Sequence, residues 1–268
     1  MSDTVTELRA RDPLLFWTGA LMTLALVVVT LLSIGDQRLI LGINPWIKPM
    51  KFLVSITIFL WTTAWFMPET EPDLVKRALV RWTISVAMVI EVALISMQSA
   101  RGTTSHFNAS TAFDLTVFNV MGITITVSSI AMVLFLWILR RDSPTNRAGY
   151  LWGVRWGVAL FVLASWQGFT MVANNGHAVP GPDGGLGLPF VNWSIEMGDL
   201  RSVHFFGMHA MQALPLLGFL LDRTIGNDQP SPLVPTARNV VMASGIAWFV
   251  VMGLLLTIAL LGHPLMAL

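Results

Sequence analysis

The chain has 268 residues, 54% of them hydrophobic and 12% charged, with a mean hydropathy of +0.69. Soluble domains carry about a quarter charged residues, so this composition excludes one and specifies an integral membrane protein. The net charge of +1 comes from basic residues scattered over short links, which excludes a nucleic-acid surface, and the lack of cysteine excludes disulfides, thiolate metal sites and a cysteine nucleophile.

Seven runs are long enough to cross a bilayer at about 20 residues each, near 14–35, 50–67, 78–100, 113–139, 150–173, 199–221 and 238–262. The first is longer than the roughly 7–15 apolar residues of a signal-peptide core and has no clear cleavage site, so it reads as a retained span. Short polar links such as PETEPD, RRDSPTNR and DRTIGNDQPSPLVPTAR leave no room for a soluble domain, and no internal repeat supports an inverted-repeat transporter. The expected fold is all-α, a single seven-transmembrane-helix bundle forming one polytopic domain over residues 1–268. With the amino terminus cytoplasmic and the carboxyl terminus outside, eleven of the sixteen basic residues fall on the inner side, as the positive-inside rule requires. All five histidines then fall on or near the outer side, so the expected pocket faces the extracytoplasmic side of a cell (inner or plasma) membrane.

In chain order, the link at 36–51 carries Pro45, Trp46, Lys48, Pro49 and Lys51. It reads either as a kinked helix start with snorkelling lysines or as a two-lysine clamp for an anionic headgroup. On the third span Glu91 stands in the apolar run VAMVIEVALISMQSARG. A carboxylate at that depth is costly unless it meets a partner or a proton path. The outer turn RGTTSHFNASTAFD packs Arg101, Ser105, His106, Asn108 and Asp114 together, with Ser110 or Thr111 as the expected cap of the fourth span. Asn108-Ala-Ser110 and Asn192-Trp-Ser194 match the glycosylation triplet.

The fifth span ends in a polar strip that includes Gln167, Asn174 and Asn175. A long Gly/Pro-rich link over 176–198 follows, expected to fold over as a lid or to run as a solvated loop. The densest stretch is DLRSVHFFGMHAMQALP at 199–215, where Arg201, His204, His209 and Gln212 share an arc of about 140° at roughly 100° per residue. Asp199 precedes them, and His209 lies at a helical depth similar to that of Glu91, which makes the two a candidate pair.

Seven spans invite comparison with known membrane families. The last span, NVVMASGIAWFVVMGLLLTIALLG, has no lysine, which excludes a retinal-binding rhodopsin, and the triplet and Asn-Pro motifs of G-protein-coupled receptors are missing. In residue types, Ser105, His106, Asp114, His204 and His209 are similar to the site of the intramembrane zinc hydrolases of the alkaline ceramidase and adiponectin receptor type. The chain departs from that group in spacing its closing pair as His-x-x-x-x-His on the sixth span and in having no buried histidine on the seventh. The analogy implies zinc and a lipid substrate.

Three functions follow as expectations. A membrane-embedded enzyme, in the form of metal-assisted hydrolysis of a lipid or other amphiphile, would use Glu91, His204, His209 and Asp199 for acid–base work. Its ligands to zinc would be His106, His204 and His209, and Arg201, Arg101, Lys48, Lys51, Gln212 and Asn174 would hold the substrate. A proton-linked carrier would use Glu91 and His209 as its relay, and a haem or quinone redox protein is the third. The partners common to all are the lipid bilayer and a small amphiphile.

Overall fold

The structure, a computed structural model, describes residues 2–140, 147–224 and 234–265. The helices are α1 (Ser2–Arg11), α2 (Pro13–Gly35), α3 (Ile47–Phe66), α4 (Leu74–Arg101), α5 (Ala112–Ile138), α6 (Ala148–Asn174), α7 (Leu200–Thr224) and α8 (Val234–Leu260). A two-stranded antiparallel ladder joins β1 (Ala178–Val179) to β2 (Gly198–Asp199). Each of α2 to α8 is long and apolar enough to cross a membrane, in agreement with an all-α membrane protein of seven spans. Large apolar side chains such as Leu24, Leu31, Ile123 and Trp137 are more than half exposed, which suits helices whose outer faces meet lipid. The connectors at 141–146 and 225–233, on which part of the charge-based orientation rests, lie outside the described residues.

Local chemistry sets the helix starts. Asp12 caps α2 by accepting from Leu15 N at 3.0 Å, with Pro13 at the first helical position where its missing N–H costs nothing. α3 begins at Ile47 rather than at 50, because Pro49 falls in the first turn, where a proline is tolerated. Asp73 caps α4 through Lys76 N at 3.0 Å, and these bonds hold its carboxyl below the ordinary carboxylate range. The short helix α1 precedes the spans and carries no hydropathy signal of its own.

Two compact units divide the chain. The first holds α1 to α4, α5 as far as Leu134, and the short segment Pro189–Val191. Its core includes Ile95 of α4 against Val117 and Met121 of α5, with Phe52 of α3 packed on them. At one end Arg11 lies over the Trp65 ring and donates to Trp65 O at 2.8 Å. At the other, Asp36 accepts from Arg38 and from Trp46 Nε1 at 2.9 Å beside an open cleft. The Arg38 hydrogen bond, against the opposing effect of desolvation, holds the Asp36 carboxyl well below its usual range.

The second unit holds the end of α5 from Phe135, then α6, α7 and α8. Glycines let α6 and α7 approach backbone to backbone: a Cβ on Gly157 would stand 2.8 Å from Ala210 O, and one on Gly218 would collide with Gly149 O. Asp222, near the end of α7, accepts from Gly149 N at 3.0 Å and Tyr150 N at 2.7 Å and so closes the open N–H groups that begin α6. Asp222→Ala is expected to lower stability by about 1–2 kcal/mol, the size of a lost charged cap. Thermal unfolding in mild detergent measures it, and an unchanged midpoint would remove Asp222 from the packing of this helix pair.

Candidate functional site

The expected site residues divide between the two units. In the first, α4 carries Glu91 toward the interior, and the residue is only 3% exposed. At 1.5 Å per residue, about 15 Å of helix separates Glu91 from Arg101 at the end of α4. The turn that follows therefore folds back on the helices to bring His106 Nε2 within 3.9 Å of Glu91 Oε1. That distance is longer than a hydrogen bond, and one water or a small side-chain swing closes it. Glu91 Oε2 is buried without a hydrogen-bond partner. An orphaned carboxylate oxygen is costly in a membrane interior and is seldom kept without a use.

The other ring nitrogen of His106 settles the tautomer. Lys48, in the first turn of α3, brings Nζ to 3.1 Å from His106 Nδ1. An ammonium has only donors, so Nδ1 accepts and the ring's own proton sits on Nε2, the nitrogen that faces Glu91. Ser105 Oγ lies 3.0 Å from the same Nδ1. Phe52, Phe107 and Phe118 surround the imidazole with ring centroids at 5.8, 6.1 and 6.3 Å. Lys48, His106 and Glu91 thus form a line from the start of α3 into the middle of α4, with donors pointing inward.

The remaining expected ligand-holders of this unit have partners in the protein. Arg101 Nη1 meets Asp114 Oδ1 at 2.5 Å and also bonds Gln98 Oε1, while Gln98 Nε2 donates to the same carboxylate at 2.9 Å. Thr111, one of the two expected caps, accepts from Asp114 N at 3.1 Å. Lys51 Nζ donates to Val191 O at 3.1 Å. Asn108 is 5% exposed and its amide is hydrogen-bonded, so the first glycosylation triplet has no available acceptor in the folded chain.

In the second unit Asp199, 4% exposed, forms a two-pronged pair with Arg201: Nε reaches Oδ1 at 2.9 Å and Nη2 reaches Oδ2 at 2.6 Å. Ser194 N and Arg201 N also donate to the carboxylate, and Arg201 Nη2 donates to Asn192 O at 2.5 Å. The charges expected to act on a substrate therefore tie the 176–198 link to the start of α7. Asn174 donates to Gly176 O and Ala178 O, turning the chain out of α6. His204 Nδ1 donates to Ala164 O and His209 Nδ1 to Phe205 O, each at 2.8 Å, which leaves the Nε2 of both rings as the acceptor nitrogen in the neutral form. Gln212 is half-buried, one turn beyond His209. Among the described residues no group of three or more His, Asp or Glu side chains is arranged to hold a metal ion, so the zinc expectation at His106, His204 and His209 gains no support.

His177, in the 176–198 link, is anchored. Its Nδ1 meets Asp183 Oδ2 at 2.5 Å, and Asp183 Oδ1 accepts from His177 N at 2.8 Å and Ala178 N at 2.9 Å. Burial pushes the Asp183 carboxyl up, but the His177 hydrogen bond and charge, with the two backbone donors, pull it further down, to well below its ordinary value. A lowered carboxyl stabilises the fold in full above the unfolded value of 3.8 and loses that contribution as pH falls toward the lower folded value. Amide-exchange protection of Ala178 is thus expected to hold at pH 5 and to fall below pH 3.8, and Asp183→Asn should weaken it already at pH 7. Equal protection in the variant at pH 7 would discount the pair.

The Glu91–His106 approach is a contact that sequence reasoning did not name; from helical depth it offered Glu91 with His209, a pair divided between the two units. Only the density of donors over 101–114 signalled it. The chain matches no protein-family model, no curated protein and no solved structure.

Proposed function

We propose that the protein is a proton-linked membrane carrier in which Glu91 bears the proton: His106 gives its Nε2 proton to the carboxylate while its Nδ1 takes one from the Lys48 ammonium, which is reprotonated from the aqueous end, and release runs these transfers in reverse. The observation that carries this reading is the Glu91 carboxylate itself: buried in a span, with Oε2 unpartnered and Oε1 3.9 Å from a histidine whose Nε2 bears the ring proton. Lys48 supplies the nearby positive charge that makes an ionised Glu91 tolerable and orients the imidazole. The cargo fitting such a site is a small amphiphile that enters from the bilayer or its edge. With the charge bias of the loops, the His106 end lies on the extracytoplasmic side of a cell membrane.

Infrared difference spectra of the lipid-reconstituted protein between two pH values test the reading. A carboxylic-acid carbonyl band that grows as pH falls and is missing in Glu91→Gln is the expected result. A band that persists in the variant, or no band over the whole stable pH range, overturns it.

A second reading has one observation in its favour. Ser105 Oγ, His106 and Glu91 lie in the order nucleophile, base, carboxylate, which is the arrangement of acyl-transfer enzymes. Against it, Ser105 is only 2% exposed. Labelling by a fluorophosphonate that is lost in Ser105→Ala would shift the assignment to a lipid hydrolase, and no labelling would leave the carrier.

A further inference from the structure

Resting on the carrier reading, we infer that Asn108 is the positioning residue of the proton path: it holds the folded-back turn so that His106 faces Glu91 in one tautomer. The turn has little regular structure to hold it. α4 ends at Arg101 with Gly102 in the left-handed conformation, α5 begins at Ala112, and the residues between have no helical ladder. Asn108 takes the place of that ladder. Its Nδ2 donates to Thr103 Oγ1 at 2.9 Å and to Thr104 O at 3.0 Å, while its Oδ1 accepts from Ser110 N at 3.1 Å and from Ser110 Oγ. One side chain thus ties residues on both sides of His106.

A second feature shows that the turn is under constraint. Phe107, the residue between His106 and Asn108, adopts φ +54°, a left-handed conformation that costs a bulky L-residue energy and persists where the surroundings enforce it. The result of that conformation is specific: the Phe107 ring packs edge-on to Phe118 at 5.4 Å and against His106 at 6.1 Å, closing the aromatic wall around the imidazole. Asparagine suits the task because it offers two donors and an acceptor on a short, uncharged stem. An aspartate could not donate to Thr104 O, and alanine would release the Thr103, Thr104 and Ser110 contacts together.

The test uses the full-length protein in lipid, with isotope-labelled histidine and nitrogen resonance spectra assigned through His106→Gln. The wild type is expected to show His106 as a single tautomer with the proton on Nε2. Asn108→Ala should give a mixture of the two tautomers and slow proton exchange at Glu91 by about tenfold or more, the scale of a misplaced general acid–base group. Thr103→Ala and Ser110→Ala, each removing one side-chain contact and leaving those of Thr104 O and Ser110 N, should give intermediate mixtures, and they carry the test if Asn108→Ala does not fold. An unchanged His106 spectrum in all three variants overturns the inference. Repeating the spectra in a Glu91→Gln background separates the two proposals: a tautomer shift there supports Asn108 even if the carrier reading has failed.

Discussion

His106→Ala is expected to slow the exchange of the Glu91 proton with bulk water by on the order of 100-fold, the lower end of what one positioned acid–base group contributes. The reason is geometric. About 15 Å of helix separates Glu91 from the end of α4, and the side chain is 3% exposed, so the proton needs a carrier to leave. On the proposed reading that carrier is the imidazole, whose Nε2 lies 3.9 Å from Oε1. Time-resolved infrared spectroscopy after a pH jump reads the rate directly, because the carboxylic-acid band of Glu91 is the signal. Lys48→Met should have a smaller effect of a different kind: with no ammonium at Nδ1, the ring loses the donor that keeps its proton on Nε2. An exchange rate in His106→Ala equal to that of the wild type would mean that water reaches Glu91 by another route, and the relay would be abandoned.

Asp199→Ala is expected to destabilise the protein by about 1–3 kcal/mol, the cost of leaving the donors around a buried carboxylate unsatisfied, with the Arg201 side chain, 26% exposed, still able to reach water. Asp199 is 4% exposed and accepts from Ser194 N, Arg201 N and both prongs of the Arg201 guanidinium. Its loss leaves Arg201 with the Asn192 carbonyl as its remaining partner among these contacts and removes side-chain support from β2, to which Asp199 belongs. Denaturant unfolding gives the energy, and faster proteolysis within 185–197 locates the damage. The double replacement Asp199→Leu with Arg201→Leu should recover much of the stability, because it removes both charges from the buried site. A fully stable single variant would show that the pair is dispensable to the fold.

Hydropathy alone determined the class and the spans. Lipid admits only backbones that satisfy themselves, so seven apolar runs had to be seven helices, and the structure moved only their ends, as at Ile47, where a first-turn proline is tolerated. Composition likewise determined that Glu91 was costly where it stood, and the density of polar groups over 101–114 marked the turn that serves it. Partnership was another matter. Helical spacing states which residues share a face or a depth, and by depth Glu91 and His209 looked matched. The approach to His106 depends on a turn that doubles back, on Asn108 tying its two sides and on Phe107 taking a left-handed conformation, none of which has a periodicity to read. Asp199 and Arg201 show the same limit: sequence supplied two charges near a helix start, and only the folded chain showed that they neutralise each other. Burial patterns are written along the chain because water and lipid act on every residue alike, whereas a polar contact depends on where two distant segments meet, which tertiary structure alone decides.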